Sequence, residues 1–446
     1  MLVSNQPPDD QGINATGIVV MSVYLENKFN TPLFLQPQQE GFDFPLRVLL
    51  YSHDSVGLGH LRRNLAIAGE IAATFPNSSV LIVTGSPRAT QFQLPANTDL
   101  VKIPSITKNN EGEYVTTNYS GSLERTLKFR SELILQAFRS FEPTLIIIDH
   151  QLTGLKGEAL DMLREAKEKG VLSIYGSRDV KDSPEVVIRH WDTASSRWAL
   201  NVGYDRVCVY GMPEVFDPRV AFAPSLDKVK QVDFAGYIVP PFKKTVKKPV
   251  SARRKKVLVT FGGGSDGAER AENYLQALET EPAYWDSHII TGPLMDADAK
   301  QRIRKHAKHI QPFGSVKVQG FNRNIPTLLR QVDAVVSMAG YNSCAEILQS
   351  GVPAVLMPRS FPRKEQLIRA TRMAELGWVT VIPEANPDPK SLFKAVEAAL
   401  ASPRRSQPEA DLNGLGRLCQ IILDLLQTAG LVKNMPQLEQ LQKSAM

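Results

Sequence analysis

Twice along the chain a run of apolar, largely β-branched residues ends in a glycine-bearing turn and opens into an amphipathic helix. This repeated unit limits the fold more than any other feature. The first copy runs from "LRVLLYSHD" into "SVGLGHLRRNLAIAGEI", and the second is "KKVLVTFGGGSDGAERAENYLQAL", residues 255 to 278. Unbroken apolar runs mark strands covered on both faces, as in a parallel sheet. Further runs follow each copy: "SVLIVTG", "LVKIPS", "PTLIIIDH" and "LSIYGSRDV" after the first, "SHIITG", "VKVQGF", "DAVVSMAG", "PAVLMP" and "VTVIP" after the second. Strands alternating with helices predict an α/β protein of two doubly wound, Rossmann-like parallel-sheet domains. The expected division is an extension at 1–44, a first domain at 45–240, a basic linker at 241–254, a second domain at 255–403 and a terminal helix and tail at 404–446.

The composition, 43% hydrophobic and 22% charged, is that of an ordinary soluble chain. Cys208, Cys344 and Cys419 are too few and too scattered for a disulfide framework or a structural zinc site, which points to a reducing cytoplasm. The early apolar stretch "GIVVMSVYL" is too short to span a bilayer and follows Asp9 and Asp10, so neither secretion nor a membrane anchor is expected. Between the two domains, "KKTVKKPVSARRKK" carries basic residues without an acidic one. Such a run is either simply solvated or drawn to the anionic inner face of a membrane, at roughly 1 kcal/mol per basic residue. It lacks interleaved aromatics, and nucleic acid is not an expected partner.

A strand, a glycine turn and a helix together aim backbone N–H groups and a helix dipole at an anion. Gly262, Gly263, Gly264 and Ser265 form one such turn without the Gly-Lys-Ser/Thr of a P-loop. Gly57 and Gly59 form the other, with Arg62 where a dinucleotide fingerprint needs its third glycine. Either turn, taken alone, reads equally as a tight strand-to-helix connection. The segment "VVSMAGYNSCAEILQSGVPAVLMP" decides more. Ser343-x-x-Glu346 is readable as a capping box. Gly340 at the end of the strand, Asn342 and Ser343 at the helix entrance and Glu346 one turn in are better explained together by a phosphate on the helix terminus and a ribose on the carboxylate.

Those residues, with "VQGFNRNIPTLLRQVDAVV" and "KEQLIRATRMAELGWVTVIP", resemble in order and spacing the donor-binding half of the MurG-like family 28 glycosyltransferases over roughly residues 255 to 400. The resemblance implies the GT-B architecture, two Rossmann-like domains facing across a cleft. It places a nucleotide diphosphate and ribose on Gly263, Gly264, Ser265, Gly340, Ser343 and Glu346, the base beside Phe321 and Asn322, and the donor sugar at Glu365 and Gln366. The chain departs from that family at Met338, Asp266, Glu365 and Arg369, which leaves the sugar's identity open. The implied activity is inverting, metal-independent transfer from a UDP-sugar or other nucleotide sugar to a hydroxyl acceptor, whether lipid, saccharide or small molecule.

In the first domain "GLGHLRRNLAIAGEI" resembles the Gly-x-Gly-His turn of the same enzymes and, equally, that of a UDP-sugar hydrolase of nonulosonic-acid synthesis. Hydrolysis is therefore the alternative activity, and nucleotide-sugar binding without turnover a third. His60 is the expected base, since a histidine titrates where an acceptor hydroxyl must lose its proton. His53, Asp54, Asp149 and His150 end apolar strands on the same edge and are its rivals. Arg62 and Arg63 offer planar donors to a diphosphate. No metal or cofactor is expected: Asp296-x-Asp298 opens a helical stretch and reads as an N-cap. The polar segment 105–122 is expected to be a loop near the acceptor, and the helix from about Ser122 to Phe141 to present Arg125, Lys128, Arg130 and Arg139 on a solvated face, or against a membrane. A terminal helix is expected to brace the first domain.

Overall fold

The computed structural model describes residues 44–53, 59–109, 113–117, 121–222, 231–240, 254–310, 315–406 and 410–432. The extension ahead of Phe44, Asp54, Gly57, all but the last residue of the linker, and the tail beyond 432 lie outside the described residues.

The first domain is built on strands β1 (Arg47–Ser52), β2 (Ser79–Thr84), β3 (Thr98–Lys102), the pair β4 (Ile106–Lys108) and β5 (Tyr114–Thr116), then β6 (Leu145–Asp149), β7 (Leu172–Arg178), β8 (Arg206–Tyr210) and β9 (Val232–Phe234). Its main sheet has the order β3-β2-β1-β6-β7-β8-β9, parallel throughout. The second domain carries β10 (Lys255–Thr260), β11 (Trp285–Ile290), β12 (Val316–Gln319), β13 (Ala334–Ser337), β14 (Ala354–Leu356) and β15 (Thr380–Val381), in the parallel order β12-β11-β10-β13-β14-β15. In each sheet the order reverses beside the first strand, the crevice where open α/β sheets bind ligands. The β-branched runs are covered on both faces, as their unbroken apolarity requires: Leu145–Ile148 and Val257–Val259 are buried.

Helices α1 (Gly59–Thr74), α2 (Leu123–Phe141), α3 (Ala268–Leu278), α4 (Tyr341–Ser350), α5 (Glu365–Glu375) and α6 (Gly414–Thr428) set the cleft. The last of these packs on α1, and its Asp424 accepts from Arg206 Nη2 at 2.5 Å, so the terminal helix does reach back to the first domain.

Two expectations need correction. Part of the polar segment 105–122 forms an antiparallel hairpin, β4 with β5, because Ile106 and Val115 give it strand-type residues to pair. Arg130 is not on the solvated face of α2: it is fully buried, and its Nε and Nη2 donate to Glu158 at 2.5 and 2.6 Å. Helical spacing brings Arg130 onto the stripe of Thr126, Ile134 and Phe138 that faces the sheet. Among the described residues no helix is long and apolar enough to cross a membrane.

Candidate active site at the domain cleft

The carboxyl ends of neighbouring strands β1 and β6 deliver His53, Asp149 and His150, and α1 brings His60 to the same point. His60 Nδ1 lies 2.6 Å from Asp149 Oδ2. Asp149 is itself gripped from below by Arg63, whose Nη2 donates to Oδ2 at 2.6 Å and to Oδ1 at 2.8 Å. Burial alone would raise the Asp149 pKa, but Arg63 and His60 outweigh it and hold the carboxyl well below the usual range. Two groups meet His60 Nδ1: the Asp149 carboxylate, which favours the tautomer with its proton there and Nε2 free to accept one, and Arg63 Nη2 at 2.8 Å.

His53 and His150 surround this pair, with ring centroids 5.2 and 5.1 Å from that of His60. Both differ from His60 in exposure and in charge environment. Burial pushes both pKa values well down, helped at His53 by His60 and at His150 by Arg178 and Lys181. His60 keeps 16% of its side chain exposed, whereas His53 and His150 are buried. The backbone of His150 has φ 69°, a conformation uncommon outside glycine that concentrates at functional sites.

Two imidazoles held neutral carry a consequence for stability. Their folded pKa values lie below the unfolded value of about 6.5, so below that pH the unfolded chain binds the extra protons. Stability is therefore expected to fall as pH falls through about 6.5, by up to about 1.4 kcal/mol per pH unit for each histidine. Urea midpoints across that range would show it, and His150→Gln should flatten the slope; an unaltered slope in that variant refutes the assignment.

In the second domain β10 and β13 are neighbours, so the glycine turn after one and the α4 entrance after the other stand side by side. Gly262 and Gly264 have φ of 64° and 89°. A Cβ on Gly264 would come within 2.0 Å of the Thr291 carbonyl, so only glycine fits there. Gly340 is the N-cap of α4 and no side chain caps it. The capping-box alternative is thereby overturned, because Ser343 sits inside the first turn and Glu346 points elsewhere. The Glu346 Oε1 accepts from Arg62 Nη2, on the other domain, at 2.5 Å. Asn342 Nδ2 donates across the cleft to the Gly59 carbonyl at 3.2 Å, and a Cβ at Gly59 would stand 3.0 Å from that amide. Arg62 thus lies on the donor side of the cleft, whereas Arg63 is buried on Asp149 between the rings of Tyr210 and Tyr341 and is not open to a diphosphate.

At the head of α5, Glu365 Oε1 accepts from Arg359 Nη2 at 2.6 Å, and Arg359 Nη1 donates to Asp266 of the glycine turn at 3.0 Å. Gln366 Oε1 accepts the Arg359 N–H at 3.3 Å. The departures Asp266 and Glu365 thus form one network around Arg359. Arg369 is not in a sugar pocket: fully buried, it binds Asp179 of the first domain through Nε at 2.8 Å and Nη2 at 2.5 Å. Met338 packs into the second core. Phe321 is exposed, and Asn322 Oδ1 accepts from Asn324 N–H at 2.8 Å, which shapes the turn after β12. Ser265 lies on the exposed rim of the glycine turn, its Oγ 3.3 Å from Asp266 Oδ1. Asp296 Oδ1 accepts from the N–H groups of Asp298 and Ala299, as an N-cap does, and among the described residues no group of carboxylates, cysteines and histidines is arranged to hold a metal ion. Sequence reasoning missed Arg178, Lys181 and Arg359. The signal available was charge placed directly after an apolar strand.

Residues 257–418 match the Glycosyltransferase family 28 C-terminal domain. The chain is similar to the UDP-N-acetylglucosamine–N-acetylmuramyl-(pentapeptide) pyrophosphoryl-undecaprenol N-acetylglucosamine transferase of Leuconostoc citreum, 28% identical over 34% of this chain and 41% of that one. The enzyme of the same description from Lactobacillus gasseri is 32% identical over 32% and 38%. The chain thus matches about two fifths of the length of these relatives. Among solved structures, MurG of Acinetobacter baumannii superposes with a TM-score of 0.54 at 14% identity, over 86% of this chain and all of that one. A ugt transferase from Siraitia grosvenorii in complex with UDP does so with 0.57 at 14%, over 85% and 100%. The fold is therefore GT-B, and the second domain matches the family 28 C-terminal domain.

Proposed function

We propose that this chain, with its family 28 donor domain closed over a histidine–aspartate pair from the first domain, is a glycosyltransferase that moves a sugar from a nucleotide-sugar donor to a hydroxyl acceptor. The observation that carries the reading is the 2.6 Å contact of His60 with Asp149 at the mouth of the same cleft as the glycine turn and the α4 entrance. The diphosphate would rest on the N–H groups of Gly263, Gly264 and Ser265 and on the positive end of α4, where charge can leave without a metal. Glu346 would accept the ribose hydroxyls. Arg62, displaced from Glu346 by the nucleotide, would turn to the diphosphate. The acceptor oxygen attacks the anomeric carbon as the bond to phosphate breaks, its proton passes to His60 Nε2, and Asp149 stabilises the imidazolium that forms. A single displacement of this kind inverts the anomeric centre. Helix α2, with Phe129 exposed beside Lys128, is where a peripheral membrane contact with a lipid acceptor would fall.

The test is mass-spectrometric detection of nucleotide released from a panel of UDP-, GDP- and dTDP-sugars, with and without cell extract as acceptor source and with and without EDTA. Release that needs the extract and ignores EDTA supports the transferase. Release in buffer alone replaces it with the hydrolase, water being the acceptor, and no release from any donor leaves only a binding protein. For Glu346→Ala we expect nucleotide affinity to fall by about 1–2 kcal/mol, roughly five- to thirtyfold, with the loss of hydrogen bonds to a charged acceptor. Isothermal titration with UDP measures this directly; equal affinity in wild type and variant removes Glu346 from the ribose.

A further inference from the structure

Most cations of the cleft have a carboxylate of their own, and two that stand near one another do not. Arg63 is matched by Asp149, Arg369 by Asp179, and Arg359 by Glu365 and Asp266. Arg178 and Lys181, at and just beyond the end of β7, have no such partner. Arg178 Nη2 bonds the neutral His150 Nε2 at 3.0 Å, and Lys181 Nζ donates to the His150 carbonyl and, at 2.6 Å, to the Tyr175 hydroxyl. Among the described residues neither stands within ion-pair distance of a carboxylate. Burial lowers both pKa values, that of Arg178 to about 10 with help from Arg63 and Arg369, and that of Lys181 with help from Arg178 and Arg363.

Three polar atoms around these cations are buried and unbonded: Arg178 Nε, Arg359 Nε and Glu365 Oε2. Arg359 is bound to Glu365, and the segment that follows Arg178 lies against the same helix end, with Lys364 N–H donating to Asp182 Oδ1 at 2.9 Å and Arg369 Nε to Asp179 Oδ2 at 2.8 Å, which brings the three residues to the head of α5. Two are guanidinium donors lacking an acceptor, and one is a carboxylate oxygen lacking a donor. Buried polar groups are nearly always bonded, and an orphaned set at one point implies a ligand of complementary pattern. That ligand has a hydroxyl to donate and a negative group to accept, on one small framework.

We infer that the sugar carried by the donor is itself acidic, a hexuronate or a similar carboxylate-bearing sugar, with its carboxylate between Arg178 and Arg359 and a hydroxyl on Glu365. The inference rests on the proposed function and on the family resemblance, which implies the donor sugar at Glu365 and Gln366. Glu365 would take a hydroxyl rather than the carboxylate, and the charge of Arg178 would offset its repulsion of such a sugar. That charge is not needed for the diphosphate, which has the glycine turn, the α4 terminus and Arg62.

The test compares full-length protein binding to UDP, UDP-glucose and UDP-glucuronate by isothermal titration, with GDP, GDP-mannose and GDP-mannuronate as a second set. We expect the uronate to bind at least tenfold tighter than its neutral counterpart. Arg178→Gln should abolish that preference and leave the affinity for the bare nucleotide within threefold, and Arg178→Lys should restore part of it. Folding of each variant is checked by its circular dichroism spectrum and urea midpoint. Equal binding of acidic and neutral donors by wild type overturns the inference while leaving the proposed function standing. An Arg178→Gln loss shared equally by bare nucleotide overturns it as well, by assigning Arg178 to the diphosphate. Failure of wild type to bind any nucleotide sinks both.

Discussion

Replacing His60 by alanine is expected to lower turnover by roughly a hundred- to ten-thousandfold while nucleotide affinity stays near the wild-type value. The reason is the division of labour across the cleft. His60 stands on the first domain and would meet only the acceptor proton, whereas the donor's phosphates and ribose have their partners on the second. Asp149→Asn should also lower turnover, since an amide can donate to Nδ1 and so favour the tautomer with its proton on Nε2. That variant will in addition be less stable, because Arg63 is buried against the same carboxylate. Quenched-flow or steady-state release assays with saturating donor separate the two effects. A His60→Ala enzyme that keeps a third or more of its activity would remove the histidine from catalysis and bring the binding-protein reading forward.

The largest effect on stability is expected at the pair that joins the domains. Arg369, on α5, and Asp179, just after β7, are both fully buried and come from different domains. The guanidinium also donates to the carbonyls of Ala339 and Val180, at 2.7 and 3.3 Å, and Asp179 accepts from Tyr237 at 3.1 Å. Burial disfavours charge on Arg369, and Asp179 outweighs it, so the pKa is raised rather than lowered. Arg369→Met leaves Asp179 buried with no counter-charge, which costs about 3–5 kcal/mol. Removing both charges, as in Arg369→Met with Asp179→Asn, should recover much of that loss, because what is expensive is the unpaired ion rather than the missing pair. Guanidinium unfolding of the two single variants and the double one completes the cycle. A single-variant loss below about 1 kcal/mol would mean that the pair is solvated and does not fix the domains. Turnover should fall together with stability here, since the distance from His60 to the donor is set by how the two sheets are held.

The site itself was partly legible. His60, the glycine turn 262–265 and the Gly340–Glu346 entrance were readable because each is a local signal: a glycine forced by its backbone, a polar residue placed where an apolar strand stops. Asp149 was visible as a candidate base but not in its role as the carboxylate that orients His60. Arg63 read as a phosphate ligand because arginine after a glycine turn commonly is one, and only its burial on Asp149 shows otherwise. Arg130 and Arg369 read as surface and sugar-pocket residues, and both are buried.

What the sequence by itself determined is the part governed by short-range periodicity. Unbroken β-branched runs require strands covered on both faces, helical spacing supplies the covers, and glycine marks where the backbone turns with φ above zero. These rules act over a few residues, so two doubly wound domains and the strand edges where the candidate residues gather could be read directly. What only the tertiary structure decided is pairing. His60 meets Asp149 at a separation of 89 residues, Arg369 meets Asp179 at 190 and Arg62 meets Glu346 at 284. A charge in a sequence has many possible partners, and the choice among them follows from which groups the closed chain leaves out of water. There an unmatched ion is costly, so burial selects the partner.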